Sequence, residues 1–354
     1  MKVVERFRDI TRTYRTVLGA RLAGGRARPF ILSHLVTSRC NADCPMCLWK
    51  KNDDDAKDEL STLEAEELYR QAGGLGFLHL VVWGGEPLMR EDLGYLLQVA
   101  QNSGLKTTLI TNGYLLPDMV DEVGLFLNNI IVSLDALSDR HDALRRLPGT
   151  FRNATDGTAL IRSKYKDVNT TIMAVITGEN VGHIPELLEF SRQKNLPIMF
   201  QSINTTDYGV HARPVDIRQS LPQREEEVRA FRLIRRSKNM GYPVLNSPDY
   251  INAFITGDVA YRCHYKRLVM RVDANGDIID CTADCTAPGR VMANVKQESL
   301  RQILSAPEYR TFVDKTSGCC VCMDAGTIEA SYLWELRPQA VFNALRHGKN
   351  LWVN

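Results

Sequence analysis

The run Phe30-Ile31-Leu32-Ser33-His34-Leu35-Val36-Thr37-Ser38-Arg39-Cys40-Asn41-Ala42-Asp43-Cys44-Pro45-Met46-Cys47 joins a short apolar segment to three closely spaced cysteines. Phe30–Val36 has the length and composition of a buried strand, which places the cysteines on the loop at its C-terminal end. Their spacing is C-x3-C-x2-C. Three thiolates on one loop can converge on a cubane iron–sulfur cluster, but four irons take four ligands, and no fourth cysteine lies nearby. One iron is thereby left for a small molecule. A structural zinc ion is the competing reading, and it would need a fourth ligand, usually in paired Cys-x2-Cys or Cys/His form.

Beyond this loop the same rhythm repeats. Apolar, β-branched runs recur at Phe77–Val82, Thr107–Ile110, Ile130–Leu134, Thr170–Ile176 and Pro197–Phe200. Between them lie helical patterns. Ser61-Thr62-Leu63-Glu64 has the form of a capping box, with Gly73-Gly74 expected to stop the helix that follows. Leu93, Leu96, Leu97 and Ala100 mark a second helix, and Ile184, Leu187, Leu188 and Phe190 a later one. Six strands alternating with helices predict an α/β fold with a parallel sheet and right-handed crossovers, a partial (β/α)6 TIM-like barrel. A long charged helix over Gln223–Lys238 follows, and Gly241, Pro243 and Pro248 mark a boundary near residue 240.

The bulk numbers set limits. The 354 residues are 44% hydrophobic and 24% charged, with a net charge of +2, as in an ordinary globular protein. No apolar run is long enough to span a membrane, and no secretory signal is legible, so a cytoplasmic location is expected. The nine cysteines then point to metal or catalysis before disulfides. Charge is uneven: residues 1–28 hold eight basic side chains against two acidic ones, and residues 29–354 sum to a negative value. Nucleic acid is not an expected partner, because its binding surfaces are more broadly basic.

The second predicted strand ends in Trp83-Gly84-Gly85-Glu86-Pro87. Together with C-x3-C-x2-C, this turn resembles the radical S-adenosylmethionine (radical SAM) superfamily. The resemblance implies that Cys40, Cys44 and Cys47 hold a 4Fe-4S cluster whose open iron is chelated by the cofactor's methionine moiety. It implies that Gly84, Gly85, Glu86 and Pro87 bind the methionine amine, with glycine permitting close backbone approach and the carboxylate attracting an ammonium. Polar residues also stand after the later strands: Thr111 and Asn112, Ser133 and Asp135, Thr177 and Asn180, Gln201 and Asn204. In parallel barrels that rim carries the active site. Singly, each reads more readily as a capping or loop residue than as a ligand. The segment Ser133-Leu134-Asp135, followed by His141-Asp142 and Arg145, resembles the family's cofactor- or substrate-contacting stretch. Asn112, Ser133, Asp135 and Arg145 are accordingly the further cofactor-binding residues.

Downstream, Cys263, Gly276 and Cys281 have spacing C-x12-G-x4-C, and Cys319-Cys320-Val321-Cys322 contains a C-x2-C. This resembles the SPASM extension, or its shorter twitch form, which holds auxiliary iron–sulfur clusters. No cysteine follows Cys322, so the resemblance implies one auxiliary 4Fe-4S cluster on Cys263, Cys281, Cys319 and Cys322. Cys285 and Cys320 are left over, and a structural zinc on the same four cysteines is the alternative.

The expected organisation is a basic amphipathic helix over residues 1–29, a radical SAM core over 30–240, a twitch- or SPASM-like cluster domain over 241–330, and an amphipathic basic tail over 331–354. The N-terminal helix, with Val3, Phe7, Ile10, Tyr14 and Val17 on one stripe, reads either as packed on the barrel or as lying on an anionic inner membrane surface. The activity implied is reductive cleavage of S-adenosyl-L-methionine to a 5′-deoxyadenosyl radical, which abstracts hydrogen from an unactivated carbon. A low-potential electron donor of ferredoxin or flavodoxin type is the implied partner. A lipid or other small-molecule biosynthetic substrate is the leading expectation. Peptide maturation is the alternative, and a non-catalytic iron–sulfur electron carrier is a third reading.

Overall fold

Each apolar run that the sequence marks as a strand pairs in parallel with the next, so every connection must cross over on a helix. In the computed structural model, which describes residues 18–19, 29–47, 58–203, 217–259, 261–279, 291–314 and 322–347, the order is β1 (Ile31–Leu35), α1 (Thr62–Gly74), β2 (His79–Trp83), α2 (Leu93–Asn102), β3 (Lys106–Thr111), α3 (Leu116–Val123) and β4 (Asn129–Ser133). It continues with α4 (Asp139–Arg145), α5 (Thr150–Lys164), β5 (Asn169–Ile176), α6 (Ile184–Lys194), β6 (Ile198–Ser202), α7 (Arg224–Asn239) and α8 (Pro248–Thr256). The C-terminal part adds α9 (Tyr265–Leu268), β7 (Val269–Val272), β8 (Asp277–Ile279), β9 (Val291–Asn294), α10 (Leu300–Ser305), α11 (Pro307–Asp314), α12 (Ala325–Trp334) and α13 (Pro338–His347).

All six expected strands are present, and a seventh joins them. The sheet runs β6-β5-β4-β3-β2-β1-β7, with β7 parallel to β1 and Arg271 opposite Ser33. The sheet therefore extends past residue 240, where the sequence placed a boundary. The chain turns at Asn275-Gly276: Gly276 takes φ +89° and its N–H donates to Asp273 O at 2.9 Å, turning β7 into β8. β8 and β9 form a separate antiparallel pair.

The expected capping box at α1 forms in full, with Ser61 and Glu64 exchanging hydrogen bonds. The helix ends on Gly74, as expected, and the chain reverses at Gly76, where φ is +87°. Gly73 is small for another reason: a Cβ there would lie 2.1 Å from Ser103 O. The amphipathic tail expected from residue 331 falls on the end of α12 and on α13, separated where Leu336 takes φ +57° just ahead of Pro338. Trp334 is buried against Phe30, Ile31 and Leu268 rather than set on an exposed face.

The main core lies between the sheet and α1–α3, with Tyr69, Leu80, Leu93, Leu96 and Leu97 almost fully buried. A second core joins β5 and β6 to α7, α8 and α12, where Phe231 stacks on Phe254 at 4.5 Å. Here Glu329 of α12 accepts the Ser247 N–H at 2.6 Å, and burial pushes its pKa up from 4.5 to about 7. Between those two values the folded chain keeps a proton that the unfolded chain has lost, so stability falls as pH rises through that window. Glu329→Gln is expected to flatten this dependence, which a thermal-midpoint series on the cluster-loaded protein from pH 4.5 to 8 would read.

The N-terminal stretch Val3–Val17, Asn204, Cys281, Cys285, Cys319, Cys320, Lys349 and Trp352 lie outside the described residues. Among the described residues, no helix is long and apolar enough to cross a membrane.

Candidate active site

The loop after β1 is fastened at both of its cysteine-bearing ends. Asp43 N–H donates to Arg145 O at 3.2 Å, and the Asp43 carboxylate meets Arg146 at 3.3 Å, tying the loop to the C-terminus of α4. Cys47 N–H closes a turn on Cys44 O, and the Asn112 side-chain amide donates to Asn41 Oδ1 at 2.7 Å. Cys40, Cys44 and Cys47 thereby face one cavity of about 350 Å³ at the C-terminal end of the strands. Burial pushes the Cys40 thiol up to about 12, so only an electropositive group in the cavity would draw its proton off. Among the described residues, no three metal-binding side chains close on a single ion.

The Gly84-Gly85 turn packs directly onto this loop. Gly85 N–H donates to Thr37 O and Glu86 N–H to Arg39 O, both at 2.8 Å. A Cβ would lie 2.4 Å from Thr37 O at Gly84 and 2.1 Å from Arg39 O at Gly85. Glycine is required here by close approach, not by φ. Both glycines line the cavity, and among the described residues neither carbonyl accepts a hydrogen bond, leaving acceptors for an ammonium. The Asn41 amide nitrogen is likewise buried with no acceptor among the described residues. A backbone cradle, an open donor and three thiols fit a cluster with an amino-acid-like ligand.

The sequence expectation for Glu86 needs correcting. Its side chain is fully buried and does not line the cavity. It accepts from Thr111 Oγ1 at 2.6 Å, Asn112 N–H at 2.7 Å and Leu88 N–H at 3.1 Å. Its carboxylate thus pins the glycine turn to the end of β3, and burial raises its pKa despite these donors. Pro87 starts the 3-10 turn Pro87–Met89 and is also buried away from the cavity. Arg90, which sequence reading passed over, clamps the same corner. Buried, it donates to Val36 O, Leu60 O and the Asp92 carboxylate.

Of the β4 segment, Ser133 and Arg145 line the cavity and Asp135 stands behind them. Asp135, with no exposed surface, accepts from Arg145 Nε at 2.6 Å and Val175 N–H at 2.9 Å. Burial opposes the Arg145 charge, but Asp135 and the nearby Cys44 sulfur raise its pKa above the usual guanidinium value. Arg145 Nη1 lies 4.0 Å from Cys44 Sγ, so a fixed cation borders the thiols. His141 is held neutral by burial, with a pKa lowered to about 4, and its Nδ1 accepts the Asp135 N–H. Asp142 accepts from Gly149 and Phe151 N–H at the start of α5. Thr177 and Asn180 bond to each other, and the Asn180 amide donates to Asp135 O rather than facing the cavity, whereas Thr111, Asn112 and Gln201 line it.

Of the downstream cysteines, Cys263 and Cys322 are described, and both are buried. The Tyr261 hydroxyl donates to Cys322 O at 2.8 Å, bringing the two segments side by side, and Cys322 reaches the cavity wall. Lys266, Arg271 and Asp324 line that same wall. Sequence reading did not single them out; the available signal was a lone arginine inside the apolar run Val269–Val272.

A seven-stranded parallel sheet with a cysteine loop and a glycine cradle at its rim fits the S-adenosylmethionine-dependent iron–sulfur enzymes that the motifs resemble, and comparison with known proteins agrees. The Radical SAM superfamily model matches residues 35–191, and that of the SPASM iron–sulfur cluster-binding domain matches residues 263–324. The PqqA peptide cyclase of Rhizobium meliloti (strain 1021) is 30% identical over 284 residues, 78% of this chain and 73% of its own length. The Fe-coproporphyrin III synthase of Methanosarcina barkeri is 30% identical over 166 residues, which are 46% of this chain and 41% of that protein. Streptococcus suis SuiB bound to its precursor peptide SuiA shares the fold, with a TM-score of 0.61 at 17% identity over 88% of this chain and 74% of that one. The chain belongs to the radical SAM superfamily and carries a SPASM domain. It is therefore an enzyme that uses S-adenosylmethionine, a 4Fe-4S cluster and auxiliary iron–sulfur.

Proposed function

We propose that the chain is a peptide-modifying radical SAM enzyme. The observation that carries this reading is the length of its likeness to the PqqA peptide cyclase, which spans both the barrel and the cysteine-rich segment, 78% of the chain. The likeness to the Fe-coproporphyrin III synthase covers 46%. The lipid substrate expected from the sequence finds no support among these relatives, and the peptide alternative takes its place.

Cys40, Cys44 and Cys47 would hold the first cluster, and Cys263, Cys281, Cys319 and Cys322 the auxiliary one. When bound, the reduced cluster and S-adenosylmethionine supply a carbon radical that removes a hydrogen atom from an unactivated carbon. The protein's part is positional. The Gly84 and Gly85 carbonyls receive the methionine ammonium. Arg145, oriented by Asp135, receives the methionine carboxylate, with Asn112 and Ser133 alongside. Glu86 acts through the turn that it pins. The apolar lining from Met173, Val175 and Ile203 keeps water from the reacting carbon. A low-potential ferredoxin or flavodoxin would deliver the electron.

The test is anaerobic incubation of the reconstituted enzyme with S-adenosylmethionine, dithionite and short peptides encoded beside its gene. Loss of hydrogen from one peptide, read by mass spectrometry alongside 5′-deoxyadenosine, is expected. Turnover of the cofactor with a tetrapyrrole and with none of the peptides would overturn the peptide reading.

A further inference from the structure

The corner that joins β1 to Cys40 has a third fastening, apart from the glycine turn and α4. Glu59, just ahead of α1, turns a carboxylate that is 8% exposed into this corner. Its Oε1 accepts from Thr37 Oγ1 at 2.6 Å and from the Ser38 N–H at 3.0 Å, and Oε2 lies 3.8 Å from Arg39 Nη2. Thr37 Oγ1 in turn accepts from the Arg39 N–H at 3.2 Å and from Arg39 Nε at 3.3 Å. Glu59 thus binds three consecutive residues, and Cys40 is the next in the chain. The carbonyls of Thr37 and Arg39 are the same ones that accept from the Gly85 and Glu86 N–H groups.

Glu59 is itself held through the backbone on either side. Lys296 Nζ donates to Asp58 O at 2.9 Å, the Leu60 N–H to Ala274 O at 2.6 Å, and Arg90 Nη2 to Leu60 O at 2.9 Å. Leu60 is buried, and its Cδ2 would lie 2.9 Å from a Cβ at Gly276. Ala274 and Gly276 form the turn between β7 and β8, so Glu59 is seated on the segment that the SPASM model matches. Hydrogen bonds to an ionised acceptor are about twice as strong as neutral ones. The corner therefore cannot move Cys40 relative to the glycine turn without breaking such bonds. A cofactor that bridges the cysteine cluster and the Gly84–Gly85 carbonyls depends on that spacing, and small misplacements of bound groups are costly in rate.

We infer that Glu59 is a positioning residue, which sets the distance between the first cluster and the glycine cradle by fixing Thr37–Arg39. It does not line the cavity and acts through the corner that it binds. The inference rests on the assignment of Cys40, Cys44 and Cys47 to that cluster, and not on the peptide reading.

The test measures 5′-deoxyadenosine formation from S-adenosylmethionine and dithionite, with no peptide, in cluster-loaded variants matched for iron content. Glu59→Ala should raise KM for S-adenosylmethionine about tenfold or more, with a smaller change in kcat. Glu59→Gln, whose amide oxygen can accept the same two hydrogen bonds, should recover most of the loss, and Glu59→Asp, one carbon shorter, little of it. Thr37→Val, which removes one donor and leaves the carboxylate, should raise KM by less than Glu59→Ala. Paramagnetic resonance of the reduced first cluster with S-adenosylmethionine should be altered in Glu59→Ala and restored in Glu59→Gln. Ser61→Ala, which removes the cap of α1 two residues on, should lower the thermal midpoint and leave KM unchanged. Should Glu59→Ala fail to load its first cluster, Glu59→Asp and Thr37→Val carry the comparison. Wild-type KM in Thr37→Val and in the Glu59 variants that load would overturn the inference, whatever their thermal midpoints. A rise of KM in Ser61→Ala equal to that in the Glu59 variants would assign the effect to the stability of the segment and equally overturn it. A wild-type spectrum that S-adenosylmethionine leaves unchanged would overturn the cluster assignment and the inference together. A wild-type response reproduced in full by Glu59→Ala would overturn the inference alone.

Discussion

Replacing Cys44 with alanine is expected to remove one cluster's worth of iron and to lower 5′-deoxyadenosine formation by at least about a hundredfold. That figure is the upper end of what metal sites lose when only a supporting partner is removed; removing a ligand should cost no less. Cys44 is the most buried of the triplet, at 7% exposure. Its sulfur sits 3.7 Å from Arg145 O and 4.0 Å from Arg145 Nη1. Its side chain is therefore placed by α4 as well as by its own loop. Two remaining thiols are too few to retain a cube of four irons. Iron and sulfide quantitation together with chromatography of the nucleoside product checks this, and a Cys44→Ala protein that still cleaves the cofactor would remove the triplet from its assigned role.

Gly85→Ala should be nearly as damaging, through sterics alone. The added methyl would lie 2.1 Å from Arg39 O and 2.6 Å from Arg39 C, both backbone atoms. The two strands of this contact cannot part freely, because Gly85 N–H and Glu86 N–H bond across it to Thr37 O and Arg39 O. Relief must break those bonds or displace the cysteine loop. A loss of about 2–3 kcal/mol of stability is expected, of the size that overpacking produces, together with weakened binding of S-adenosylmethionine. Gly74→Ala is the internal control. It lies within α1 with open space around its Cβ position, so alanine should stabilise there by about 0.5–1 kcal/mol. Thermal midpoints of the two variants should move in opposite directions.

Much of the fold was legible because its signals are local. Runs such as Ile130–Leu134 have the composition of strands buried on both faces, and their alternation with helices dictates parallel pairing. The seventh strand escaped because Val269–Val272 is only four residues long, contains an arginine, and finds its partner, β1, at the far end of the chain. The break in the tail escaped because the positive φ at Leu336 is a tertiary demand that no residue type there announces.

At the site, spacing identified the cysteine loop and the glycine turn, since both are contiguous in sequence. Direction was harder to read. Glu86 and Asp135 are acidic residues at strand ends, and sequence alone cannot separate a carboxylate that faces the cavity from one that turns inward. Here both turn inward, to Thr111 and Asn112 in one case and to Arg145 and Val175 in the other. Their part is to fix the groups that do face it. Lys266 and Arg271 were missed because they lie in a segment whose cysteines dominate its reading.

The central claim is that Cys40, Cys44 and Cys47 are an incomplete ligand set, completed by the cofactor beside Gly85 and Arg145. The most direct measurement is electron paramagnetic resonance of the reduced enzyme, with Cys263 and Cys322 replaced by alanine to remove the auxiliary signal, before and after adding S-adenosylmethionine labelled with nitrogen-15 at its amine and oxygen-17 at its carboxylate. A changed spectrum with hyperfine coupling to both labels is the result predicted. A spectrum unchanged by the cofactor, with no coupling to either label, would contradict the account.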